Sequence, residues 1–334
     1  SQNEVTEYLH KFSPDALFEK GAVNKLGHIN IDTGMIWFSS GIVNSLWRLI
    51  SKKNKVNSEK FSFFVNDQAR LNFYADFVFP LASSSTLDQY LEQASVNGIN
   101  DDLISCRKVL WKTLHNFTIE VKKLSPAKFI HSGTSLEFLE LMTDHIKEYR
   151  FLEWRQNVLS NVPSNGTITC INSFISPGSK IGFGTFIENV NMQTNCVIGQ
   201  NCIISSVNIN AINLTLPDNT LLHILPIVGE KFCARVIDVR DNPKEEKFFG
   251  RDIVDIFNHY NISEEKYFNK EIKEIFDVNK NKDHSLWNCP LFPVCDTVNE
   301  SLFYAMFLIK LANLNASQEE VENWLRKDRI SLEY

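Results

Sequence analysis

The chain has 334 residues, 43% of them hydrophobic, and a formal net charge of −6. At about 150 residues per domain this length points to two or three domains. The acidic balance excludes a basic nucleic-acid face, so no nucleic-acid partner is expected. The seven cysteines form no Cys-x-x-Cys pair, which removes the usual zinc spacing and any disulfide framework. They fit buried free thiols in a reducing compartment. There is no apolar run of about 20 residues and no charged-then-apolar leader, so a cytoplasmic protein without a membrane partner is expected. Ser1 stands where a methionine would, which makes a trimmed chain or a fragment the expectation.

Residues 1–150 mix strand-like and helix-like segments. Residues 29–38 are β-branched and aromatic, as in a buried strand. Ser39-Ser40-Gly41 then opens a helix over residues 42–50. Residues 52–60 read as a polar, lysine-rich loop. Residues 71–82 and 87–94 read as helices, the second started by Thr86. Residues 119–122 and 128–131 read as short strands, and 135–149 as a helix. Strands alternating with helices predict an α/β sheet domain.

Composition shifts at a linker, residues 151–165. Over residues 166–225 an apolar residue recurs every sixth position at Ile175, Ile181 and Ile187. After a one-residue slip the pattern resumes at Met192, Ile198 and Ile204, with Gly182 and Gly199 each following one of these. A period of six marks a parallel β-helix, here of about three coils. Short antiparallel strands are the alternative, which the regular spacing disfavours. Residues 226–334 predict a mixed, partly helical layer, with a turn at 241–244 and helices at 263–276, 301–316 and 318–327.

Four segments carry residues suited to chemistry. Lys11 sits in Tyr8-Leu9-His10-Lys11-Phe12, where a lysine holds a phosphate as a point charge; a solvated lysine is the plain alternative. Asp32 lies in an apolar strand with Gly34 two residues on; its alternative is a local turn contact. His131 ends a strand before Gly133 and Thr134, where free N–H groups at a helix start would favour an anion; its alternative is a loop histidine bonded locally. Asp76, beside Tyr74, reads better as a helix-face contact or a supporting residue. There is no phosphate-cradling Gly-x-x-x-x-Gly-Lys-Ser/Thr loop, no dinucleotide fingerprint and no nucleophile elbow.

Taken in order, His10-Lys11-Phe12, Asp32-Thr33-Gly34-Met35, Ala75-Asp76-Phe77-Val78-Phe79-Pro80 and Phe129-Ile130-His131-Ser132-Gly133-Thr134 resemble the motifs of the sugar-1-phosphate nucleotidyltransferases. The histidine where others carry aspartate, Tyr74-Ala75-Asp76-Phe77, and a Leu286-Trp287 segment ending in Phe292-Pro293-Val294 resemble one branch, the L-fucose-1-phosphate guanylyltransferases, including their fusions to fucokinase. The resemblance implies a partial Rossmann-like α/β domain followed by a short left-handed parallel β-helix. It implies transfer of a guanylyl group from GTP to fucose-1-phosphate, assisted by Mg2+. Lys11 would hold the sugar phosphate and Asp32, with Gly34, a sugar hydroxyl. His131, Gly133 and Thr134 would lie near phosphate, with Tyr74 and Asp76 supporting. Phe12 stands where the family has proline. The family's Gly-Gly-x-x-x-Arg nucleotide loop is not in this sequence, so the chain alone is expected to be incomplete. A non-catalytic scaffold and a hexapeptide acyltransferase using His223 remain the other readings. A homo-oligomer through the β-helix or the C-terminal region is an assembly that such domains allow.

Overall fold

The computed structural model describes residues 3–9, 12–95, 98–162, 168–263 and 285–333. Lys11, most of the helix predicted at 263–276 and part of the 151–165 linker lie outside them. The chain divides into two compact units, Ser1–Phe129 and Ile130–Tyr334.

In the first unit, the described residues form helices α1 (Pro14–Glu19), α2 (Ser40–Ile50), α3 (Ser58–Phe64), α4 (Leu87–Leu91) and α5 (Asp101–Leu114). A π-helical turn, Phe73–Val78, runs into a 3-10 turn, Phe79–Leu81. Each α-helix starts at a polar cap: Ser39 accepts from the Ile42 amide, and Thr86 and Gln89 form a reciprocal capping box. Core residues Ile42, Phe64, Ala69 and Leu81 close on Cys106, Leu110 and Leu114 of α5.

The predicted sheet is where the structure departs from expectation. Residues 29–38 form no ladder and bend at Gly34, and 119–122 contributes only an isolated bridge between Glu4 and Glu120. Among the described residues of this unit the one sheet is a small hairpin, Ser51–Lys52 against Lys55–Val56, within the stretch expected to be a loop. β-Propensity expresses how well a side chain fits a pleated, half-buried surface. Here no such surface is supplied: Ile31 is 68% and Trp37 95% exposed.

The second unit is built on a β-solenoid of about four turns. One face stacks Asn157–Val158, Ile168–Ile171, Thr185–Glu188, Ile203–Ser205 and Thr220–Ile227 in parallel, closed by antiparallel Lys231–Asp238. The second face stacks Phe174–Ile175, Asn191–Met192 and Asn208–Ile209, and the third Lys180–Ile181, Val197–Ile198 and Thr215–Leu216. The side chains of the six-residue pattern point inward, with Ile187, Met192 and Ile204 fully buried. The repeat unit is the whole coil: Asn172 and Asn189 occupy the same corner 17 residues apart and share an Nδ2-to-Oδ1 hydrogen bond of 2.7 Å. This coil length explains the one-residue slip, since three exact hexads would need one residue more. Both asparagines have left-handed backbone (φ 47° and 52°), a conformation asparagine tolerates. Gly182 and Gly199 are close-approach positions, because a Cβ on either would meet the next coil at 2.4 Å.

Helix α6 (Ser135–Met142) lies on the outside of the solenoid, its Leu139 packed with Phe186, Ile203 and Val239. Residues 130–150 therefore belong with the solenoid by contact, although composition changes only after them. Beyond the closing strand, α7 (Ile253–His259), α8 (Val298–Ala312) and α9 (Gln318–Leu325) extend the same hydrophobic core. Their packing is fixed by Trp324, whose indole N–H donates to the Leu291 carbonyl at 3.0 Å, and by buried Arg329, which donates to the Pro290, Trp324 and Leu325 carbonyls. No helix among the described residues is long and apolar enough to cross a membrane.

Candidate functional site

The candidate residues fall into two groups, one in each unit. In the first unit, Asn72 sets the geometry. Its side chain accepts from the Tyr74 and Ala75 amides, opening the π-helical turn, while its own amide donates to Asp76 at 2.5 Å. Asp76 is 1% exposed and receives Arg107 Nε at 2.7 Å. Arg107 also donates to the Leu91 and Gln93 carbonyls. The Tyr90 hydroxyl donates to the Asp76 carbonyl at 2.8 Å. Asp76 thus points inward as an anchor, and the turn it fixes carries Tyr74 outward.

Tyr74 stacks on Tyr8, with ring centroids 5.7 Å apart and planes 11° off parallel. Asp32 lies with them, near enough for its charge to act on both phenols. Burial, then the Asp32 charge, then Tyr74 push the Tyr8 phenol up to about 12, and burial followed by Asp32 also raises Tyr74. Asp32 is itself set by a tight turn, its Oδ1 accepting the Gly34 amide at 2.9 Å. Gly34 has φ +74°, and a Cβ there would lie 3.4 Å from the Tyr74 hydroxyl. Glycine therefore meets one need, the left-handed turn, since a Cβ would make only ordinary contact with the phenol. The result is an exposed carboxylate beside a paired aromatic surface. Such a pair accepts hydroxyl protons at one edge and covers apolar C–H surface with the rings. Tyr8 was not among the residues singled out from sequence; its partner is far along the chain, and no local pattern joins them.

In the second unit, Thr134 caps α6 and Glu137 returns the bond, completing a capping box. Glu137 Oε2 accepts from the Gly133 amide at 2.8 Å and the Thr134 amide at 3.2 Å, and lies 3.3 Å from His131 Nδ1. The helix-start donors expected to be free for an anion are therefore already held by the chain's own carboxylate. The Gly133 bond first, then the His131 charge, lower the Glu137 pKa. His131 itself is 65% exposed.

Magnesium requires several oxygen ligands. Among the described residues no group of three His, Cys, Asp or Glu side chains is placed to hold a metal. Asp76 is committed to Arg107, while Asp32 is exposed and holds the Gly34 amide through Oδ1.

By architecture the chain is a mixed α/β protein in which a helical unit with an acid-and-aromatic surface cluster is followed in sequence by a β-solenoid unit. It belongs to the fucose pyrophosphorylase domain family, which matches residues 1–297. Mouse fucose-1-phosphate guanylyltransferase is 26% identical over 249 residues, covering 69% of this chain and 40% of the mouse protein. The human protein of the same name is 22% identical over 333 residues, covering 90% of this chain and 53% of its own length. The chain thus spans about half the length of the curated relatives it matches. No solved structure matches it.

Proposed function

We propose that this chain supplies the sugar-phosphate side of a fucose-1-phosphate guanylyltransferase. In that reaction a phosphate oxygen of fucose-1-phosphate attacks the α-phosphorus of GTP, the bond to the β-phosphate breaks, and pyrophosphate leaves. The protein's share is positioning and neutralisation of charge. Magnesium enters with the triphosphate as part of the substrate. The observation that carries the reading is the Tyr8–Asp32–Gly34–Tyr74 cluster in a member of this family. Asp32 accepts a fucose hydroxyl, and the Tyr8–Tyr74 pair covers the sugar's apolar face. Lys11, close in sequence to Tyr8, takes the sugar phosphate. In the second unit, taken by itself, His131 with the Gly133–Thr134 turn is the element we assign to contact with a phosphate oxygen.

Calorimetric titration of the chain with β-L-fucose-1-phosphate tests this. Saturable binding is expected, weakened about tenfold or more by Asp32→Asn, which replaces a charged acceptor by a neutral one. Absence of binding to a folded chain would turn the reading towards a non-catalytic scaffold.

A further inference from the structure

The first unit holds a second feature, remote in composition from the acid-and-aromatic cluster. Between α2, α3 and α5 lies a cavity of about 530 Å³, open to the surface. Its walls include Leu46, Trp47, Ile50, Phe61 and Phe64, and Arg70 lines it as its charged side chain. This volume and lining are those of a small-molecule site, mostly apolar with one group to fix orientation.

The segment joining the two helical walls is basic. Residues 48–60 carry Arg48, Lys52, Lys53, Lys55 and Lys60 against the single acid Glu59, in a chain whose net charge is −6. Lys60 is spent on the Arg48 and Ser51 carbonyls, tying α3 to the end of α2. The others are exposed. In the hairpin Lys52 stands directly opposite Lys55, and Lys53 occupies the turn at φ 53°. Like charges directly opposed on a ladder are unfavourable. Among the described residues none of Lys52, Lys53, Lys55 and Arg70 forms an ion pair. A purely apolar cavity would accept any greasy group; this one adds an arginine in the wall and an unneutralised lysine hairpin where the walls join.

We infer that this cavity binds a medium-length acyl chain ending in a carboxylate, taken free from solution. The chain lies among Leu46, Trp47, Ile50 and Phe61, the carboxylate meets Arg70, and the hairpin lysines raise its local concentration.

The test titrates the chain with decanoate and with its uncharged counterpart decanol, read by calorimetry and by Trp47 fluorescence, with Trp47→Phe as the signal control. Decanoate is expected to saturate at one site and to bind about tenfold or more tighter than decanol, the value of one charge-assisted bond. Arg70→Asn removes the charge while keeping a residue that tolerates the positive φ of 39° at this position. It should bring decanoate down to the level of decanol. Lys52→Gln/Lys55→Gln, on the exposed hairpin, should weaken decanoate and leave decanol unchanged. Val43→Trp, at a half-exposed wall position, should fill the cavity and abolish both. Equal binding of decanoate and decanol, binding that survives Val43→Trp, or failure of decanoate to saturate would overturn the assignment.

Discussion

Replacing Asp76 by alanine probes how the first unit presents its surface cluster. Asp76 and Arg107 are 1% and 0% exposed, joined at 2.7 Å. Removing the carboxylate strands a buried guanidinium that keeps only the Leu91 and Gln93 carbonyls, with Nη2 already unpartnered. Breaking one side of a buried ion pair costs about 3–5 kcal/mol. The Asn72 amide loses its acceptor as well, which adds about 1 kcal/mol. A large share of a domain's ordinary stability would therefore be lost. Urea unfolding followed by the fluorescence of Trp111, which lies 5.5 Å from Tyr90 on α5, reads this unit. The double change Asp76→Leu/Arg107→Met removes both charges and is expected to recover most of the loss, because no buried charge is left unpaired. A loss below about 1 kcal/mol for Asp76→Ala would refute the anchor role, and would reopen a direct one in ligand binding.

Other outcomes follow from the same geometry. Ile187→Ala, inside the solenoid at 0% exposure, should cost about 2–5 kcal/mol in the second unit's denaturation, since neighbouring coils hold the cavity open. Glu137 has a lowered pKa, so its contribution to α6 is present above the ordinary carboxylate value of about 4.3 and is lost as pH falls through the lower folded value. Faster hydrogen exchange at the Gly133 and Thr134 amides in that acid window is the readout, and Glu137→Gln should show it at neutral pH. The Tyr8 phenol should stay neutral up to about 12 in ultraviolet titration, and Asp32→Asn should lower that value by removing a neighbouring negative charge. All seven cysteines are buried, and burial pushes Cys233 and Cys295 up to about 12, so none should react with a thiol reagent until the chain is unfolded.

What the sequence disclosed divides by the range of the interactions involved. The solenoid was legible because its rule is local: an inward side chain at Ile175, Ile181, Ile187, Met192, Ile198 and Ile204 repeats whatever lies around it, and the 17-residue coil accounts for the slip. The start of α6 after the Gly133 turn was legible too, but the capping box of Thr134 with Glu137, which occupies the turn's amides, went unread. Residues 29–38 misled because β-branched and aromatic residues form a strand only where another strand or a packed face meets them. Helix α5 went unread although Asn100 caps it and Asp101 and Asp102 fill its first turn. The pairing of Asp76 with Arg107, 31 residues on, and of Tyr8 with Tyr74 could not be read at all, because nothing local couples residues so far apart. Asp32 and Gly34 stood out by motif, and the structure shows the local turn contact that was the plain alternative for Asp32.

The most direct measurement is pyrophosphate release from GTP, Mg2+ and β-L-fucose-1-phosphate by the longest natural form of this chain, compared with Asp32→Asn and Tyr8→Ala in that same form. The account predicts release by the parent, with both variants raising the KM for the sugar phosphate and leaving the KM for GTP unchanged. Release that is absent from the folded parent, or unaffected by either variant, would contradict it.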